Sequence, residues 1–274
     1  MSQNEGFLSP DLATSIANIR RDFSPWFGVA ESFVKLGMRV LPEVKAGQTN
    51  NQQLIAAALY GRALTSFQAA YVLTERGLLA DARTVVRAAA ETTIVLSAVV
   101  KDAKVCDLLV DRHFWHHRKL RNAWLNDPQA VAEMTPEQID AVKATLAEAD
   151  ASHPAAKQLK ADPIEIATLA QQSGVTALYN AVYRTTSGDA AHTSIDALDR
   201  HINADEDGNI QGLKFGPDVR DLPATLSDGI SVIGHAIHAV LDLFQLEQFN
   251  DDLSRCTASW KALVVAGESK PELN

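Results

Sequence analysis

Cysteine is scarce in this chain: Cys106 and Cys256 are the only two among 274 residues. Two thiols so far apart cannot form a disulfide framework, so a reducing cytosolic setting is expected. Basic charge is also short, with 25 Lys and Arg against 34 Asp and Glu, a formal net charge of −9. A general binder of nucleic acid or of anionic membrane is more often basic, so any such contact must come from a local patch. The opening residues MSQNEGFLSPDL lack the basic and apolar regions of a secretory leader, and no leader is expected. There is no internal repeat, no low-complexity tract and no Pro/Gly-rich linker. Strand periodicity is nearly missing, and so is the G-x-S-x-G turn that presents a serine nucleophile on a sheet.

What is present is helical. The apolar fraction is 46% and the charged fraction 22%, ordinary values for a globular protein with a substantial core. Helix starts are legible where an N-cap oxygen precedes proline, at Ser9-Pro10, Ser24-Pro25, Thr135-Pro136 and Asp162-Pro163. Thr135 to Gln138 also fits a capping box. The periodicity predicts helices near 10–22, 25–41, 51–76, 78–101, 104–126, 136–150, 163–173, 175–187, 189–200, 222–246 and 249–265. Gly77 suits the left-handed residue that ends the third helix and turns the chain into the fourth. Asp207-Gly208 between short apolar segments predicts a small hairpin or ordered loop over 201–215.

The expectation is therefore an all-α fold, a single multi-helix bundle over 1–274. Its N-terminal helices fall in 1–48, its core bundle in 50–202, a loop or hairpin in 203–221 and its C-terminal helices in 222–265, with a disordered tail at 266–274. The polar, Ala/Glu-rich stretch 126–162 reads as an exposed helical excursion. The most apolar helix, 78–100, carries Asp81, Arg83, Arg87 and Glu91, which argues against a membrane span.

That helix is apolar on nearly every side, so it is predicted to be the most buried of the bundle. Arg87 and Glu91 lie one turn apart within it, and a charge held in a core must be paired. A buried Arg87/Glu91 pair would make Arg87→Ala cost about 3–5 kcal/mol. Such a pair could equally be a structural ion pair or line a polar pocket. Tyr179, Tyr183 and Ser187 follow at i, i+4, i+8, with His192 beyond the Gly188-Asp189 interruption, and together they form a proton-handling set. The alternative is a kinked helix whose hydroxyls satisfy the break.

This combination, an R-x-x-x-E helix after a hairpin partner ending in E-R-G, then Y-x-x-x-S and H-x-S, resembles a bacterial all-helical family of unknown function over residues 50–202. The resemblance implies a pocket at Arg87, Glu91, Tyr183, Ser187 and His192, and it brings no established reaction. This chain has four residues between Ser187 and His192 where the family pattern has three.

A second resemblance rests on Arg112, His113 and His117, which fit the R-[NDH]-x-x-x-H pattern of HEPN (higher-eukaryote-and-prokaryote nucleotide-binding) domains. Many of these helical bundles are RNases. The resemblance implies that Arg112 steadies a phosphate and His117 moves a proton against a partner copy, which brings RNA as substrate and a homodimer. The alternative is that His113 and His117 are satisfied histidines at a helix seam, since they share a face with Cys106, Val110, Leu120 and Trp124.

The stripe Asp228, Ser231, His235, His238 and Asp242 reads as a solvated polar face. No E-x-x-H pair of the di-iron type accompanies it, and no cofactor or metal is expected, although the 113–117 and 235–238 histidines leave metal binding open. Three functional readings stand: a bundle that binds or processes a small anionic ligand, a HEPN-like RNase of stress or phage defence, and a non-catalytic interaction protein. Each is compatible with a cytoplasmic protein that has no membrane partner.

Overall fold

Of the four cap residues expected before proline only Thr135 caps its helix: the first helix starts after Asp11 rather than Ser9, Ser24 is the first residue of the second, and neither start has a side-chain cap. A computed structural model describes residues 5–47, 49–190, 195–205 and 207–268. After α1 (Leu12–Asp22), Pro25 sits in the first turn of α2 (Ser24–Val40), where its missing N–H costs nothing. Asn50 caps α3 (Asn51–Glu75) by accepting from the Gln53 backbone. Gly77 then adopts φ +73°, and Leu78 N–H donates to the Leu73 carbonyl, closing a Schellman-type turn into α4 (Leu79–Lys101). Gln52, at the start of α3, donates to the Val99 carbonyl at the end of α4 at 2.7 Å. The two helices therefore run antiparallel, and the same bond satisfies an orphan C-terminal carbonyl.

Beyond α4 the chain leaves the core. Helix α5 (Val105–Asn126) buries only Val105 and Cys106, and α6 (Pro128–Glu133) and α7 (Pro136–Ser152) bury no residue. The capping box at Thr135 and Gln138 forms as the residues predict. With α8 (Pro154–Gln158), these helices fold back along α5 as an arm. Arg118 to Asp150 at 3.0 Å ties the arm together, and the Phe114 ring stacks on His153 at 3.5 Å. The excursion expected over 126–162 is thus present as helices docked on α5.

The chain returns through α9 (Ile166–Gln172), α10 (Thr176–Leu178), a π-turn (Tyr179–Tyr183), α11 (Ser187–Ala190) and α12 (Ile195–Asp199). Helix α9 begins three residues later than Asp162-Pro163 suggests. Asp162 Oδ1 accepts from Ile164 N–H in a local turn, and its other oxygen takes Arg112, so the residue is not available as a helix cap. Strands β1 (Ile202–Ala204) and β2 (Ile210–Leu213) pair antiparallel about the Asp207-Gly208 turn, with a register shift between Asn203 and Ala204. The hairpin expected near 201–215 is there.

Two long helices close the fold, α13 (Leu222–Phe244) and α14 (Asn250–Glu268). Helix α13 lies across α3, α4 and α2, while α14 packs outside against α2 and α13. Tyr60, Phe33, Phe67, Ile94, Ile233 and Ile237 fill the centre, and the Tyr60 hydroxyl donates to the Gly37 carbonyl at 2.9 Å. Helix α4 buries 12 of its 23 residues, but α13 also buries 12 of 23. The expected primacy of 78–100 is therefore shared, because α13 packs against α4, α3 and α2 across the middle. Among the described residues α13 is also the one helix long and apolar enough to cross a membrane, and 61% of its most apolar window is buried in the bundle. Residues 266–268 of the expected tail belong to α14, and 269–274 lie outside the described residues.

Candidate functional site

Helix α4 presents Arg87 and Glu91 on one side, each half-buried rather than sealed in the core. They do not pair with each other. Helical side chains lean toward the N-terminus of their helix, so Arg87 points away from Glu91 and toward the incoming π-turn. There Arg87 Nη2 donates to the Tyr183 hydroxyl at 2.9 Å and Nε donates to Ser187 Oγ at 3.2 Å. The guanidinium also lies over the Tyr183 ring, 4.6 Å from its centre. Glu91 turns instead to Arg112 of α5 at 3.6 Å, and Arg112 Nε donates to Asp162 Oδ2 at 3.0 Å. The Glu91 side chain keeps 29% of its exposure. The expected buried ion pair is thus replaced by two separate arginine sites, and Glu91 belongs to that of Arg112.

The π-turn sets the geometry. Arg184 N–H donates to the Tyr179 carbonyl, an i to i+5 bond that widens the helix by a residue. Tyr179 and Tyr183 stack with ring centres 5.4 Å apart. Thr185, Thr186 and Ser187 each return a hydroxyl to a carbonyl of the preceding turn, at 2.7, 2.6 and 2.6 Å. These bonds satisfy the break, as the kinked-helix alternative expects. Because the single Ser187 proton goes to the Tyr183 carbonyl, this hydroxyl is an acceptor for Arg87 and not an activated nucleophile. Desolvation raises the Tyr183 pKa, and Glu91 raises it further against the opposing pull of Arg87, so the phenol keeps its proton near neutral pH. His192 lies outside the described residues.

The pair taken from the second resemblance does not converge within the chain. Arg112 and His117 are five residues apart on α5, so their side chains diverge by about 140° around the helix. Arg112 faces α4 and Asp162, while His117 faces α7 beside His113, 4.4 Å away between ring centres. The arginine that would steady a phosphate is already held by two carboxylates.

The α13 stripe is also more covered than its composition suggests. Trp260 of α14 donates to Ser227 at 2.9 Å, and His235 Nδ1 lies 2.8 Å from the Ser231 carbonyl, which requires the proton on that nitrogen. Only His238 and Asp242 of the five are exposed. Asp228 is half-buried, and desolvation lifts its pKa to about 6. Among the described residues, no group of three or more His, Cys, Asp or Glu side chains is placed to hold a metal ion. Sequence reasoning treated Asp162 only as a cap and so missed its tie to Arg112; a contact across 50 positions leaves no periodic trace.

A family model matches residues 53–210, more than half of the chain, spanning α3, α4, the arm and the π-turn. The chain belongs to the family of unknown function DUF5677. The match contains Arg87, Glu91, Arg112, His117, Tyr183, Ser187 and His192, and it excludes α2, α13 and α14. No curated protein and no solved structure matches the chain. The DUF5677 segment supplies the site side chains, and the flanking helices supply the other half of the core.

The first expected result follows from the missing Arg87–Glu91 pair. Arg87→Ala leaves Glu91 with Arg112, so the loss is confined to two hydrogen bonds and a ring contact, about 1–2 kcal/mol. Urea unfolding measures this directly, and a loss above about 3 kcal/mol would restore the buried-pair reading.

Proposed function

We propose that this chain is a cytoplasmic binding protein whose half-buried Arg87 receives a small carboxylated or phosphorylated molecule. One observation carries the reading: among the described residues Arg87 has only neutral partners, Tyr183 and Ser187. Arg83 donates to the Thr185 carbonyl nearby, and the two carboxylates Glu91 and Asp162 both lean on Arg112. Arg87 therefore retains its positive potential, with hydroxyls that orient the guanidinium without neutralising it. The Tyr183 hydroxyl accepts from Arg87, and its own proton is unclaimed among the described residues, which adds a donor for an incoming oxygen.

Calorimetry against a panel of small carboxylates and phosphates tests this. A ligand of wild type is expected to bind Arg87→Lys about tenfold more weakly, since lysine keeps the charge but loses the planar fork. Equal affinity for both proteins, or no ligand in the panel, would leave Arg87 a structural residue and favour a non-catalytic interaction role.

A further inference from the structure

We infer that the cleft between α5 and α7 is a second, proton-gated site for a phosphate-bearing small molecule. The cleft encloses about 430 Å³, within the roughly 300–1,000 Å³ usual for small-molecule sites. His113, His117 and Arg121 enter it from α5, Glu148 and Ser152 from α7, and His153 from the α7–α8 junction. These side chains come from two sides of the arm, and ring contacts hold its histidines. His153 stacks on Phe114, with planes 18° apart, and His113 packs edge-on against His117.

The charge arithmetic favours an anion. Arg121 is permanently positive and Glu148 offsets it. The other carboxylate of this region, Asp150, is already shared by Arg118 at 3.0 Å and Lys157 of α8 at 3.4 Å. Lys119 lies over the Trp115 ring and His116 is exposed beside His117. Arg121 and Glu148 cancel, so a proton on His117 adds a positive charge that no carboxylate of the cleft takes up. The His117 pKa is lowered by desolvation and then by His113, Arg121 and His116, so its proton is opposed by neighbouring cations rather than held by a carboxylate.

A phosphate reverses that balance. It brings up to two negative charges and several acceptor oxygens to a guanidinium, up to three imidazolium donors and the Ser152 hydroxyl. Binding and protonation of His117 are then linked: the anion raises its pKa, and affinity falls as the pH rises past it. Arg112, on another flank of α5, plays no part.

Inorganic pyrophosphate serves as the probe, titrated into the full chain by calorimetry at pH 6 and pH 8. Binding is expected to be about tenfold tighter at pH 6, and about fivefold weaker there for His117→Gln and Arg121→Gln. Both residues lie on the arm away from the core, so circular dichroism should show the variants folded as wild type. The titration is repeated in the Arg87→Lys background, where the pH-dependent binding that is lost with His117→Gln reports this cleft and not the site on α4. Ring ¹⁵N shifts of the histidines should move upward in pKa when pyrophosphate is added. Affinity independent of pH, full affinity in either glutamine variant, no binding, or equal binding of acetate would each overturn the inference.

Discussion

Gly77→Ala is expected to lower the unfolding free energy by about 3 kcal/mol, combining left-handed backbone strain with overpacking. Gly77 holds φ +73°, and a Cβ there would stand 2.7 Å from both Cα and Cβ of Pro217 and 2.8 Å from the Asp218 nitrogen. These are mostly backbone atoms, and Asp218 N–H donates to the Gly77 carbonyl at 2.9 Å, so the two strands of chain cannot separate without losing that bond. Moving 217–218 would also disturb Asp218, a buried carboxylate that gathers Arg200, Lys214 and Arg220. Gly61→Ala is the matched control. Gly61 lies inside α3 with nothing within 4 Å of its would-be Cβ, so alanine there should stabilise by about 0.5–1 kcal/mol. Chemical denaturation of the two variants side by side decides it. A Gly77→Ala loss below about 1 kcal/mol would mean that the 217–218 segment yields freely.

Asp228→Asn is expected to stabilise the protein at pH 7 by about 1–3 kcal/mol and to do almost nothing near pH 3.5. Desolvation on α13 lifts the carboxyl from its ordinary 3.8 to about 6, only partly opposed by Arg83. The folded state thus holds this proton more tightly than the unfolded chain does. Its contribution is fully present below pH 3.8 and is lost as the pH climbs to about 6. Above that the folded protein carries a poorly solvated charge, and asparagine removes it while keeping the shape. Thermal unfolding across pH 3.5 to 8 reads the difference curve. A gain that is flat with pH, or a loss at pH 7, would show that the Asp228 charge is well accommodated.

The fold was legible where the signals are local. The Thr135-Pro136 cap, the Gly77 turn, the Asp207-Gly208 turn and the 3.6-residue periodicity of α2 to α5 all act over a few positions, and the elements form there, whereas Asp162-Pro163 is drawn into a contact with Arg112 and starts no helix. Pairings across the chain were less legible. The i,i+4 spacing of Arg87 and Glu91 suggests mutual pairing, yet the direction in which helical side chains lean sends one to Tyr183 and the other to Arg112. Tyr183 and Ser187 were identifiable as candidates from their stripe, but not the π-turn that delivers them, since its wide hydrogen bond has no distinctive composition. Asp228 looked like part of a wet stripe because nothing local announces that α13 is packed against both α4 and α14.

The π-turn has a consequence best expressed as phase. It holds one residue more than an α-helical path of that rise requires, which advances every later side chain by about 100° around the axis. Ser187 meets Arg87 because of that advance, so the meeting is encoded in the count of residues over 179–183 as much as in their identities. A substitution at exposed Asn180 keeps the phase. Its deletion would restore regular hydrogen bonding and carry the Ser187 hydroxyl round to another face, giving a tidier helix and an arginine with nothing to orient it.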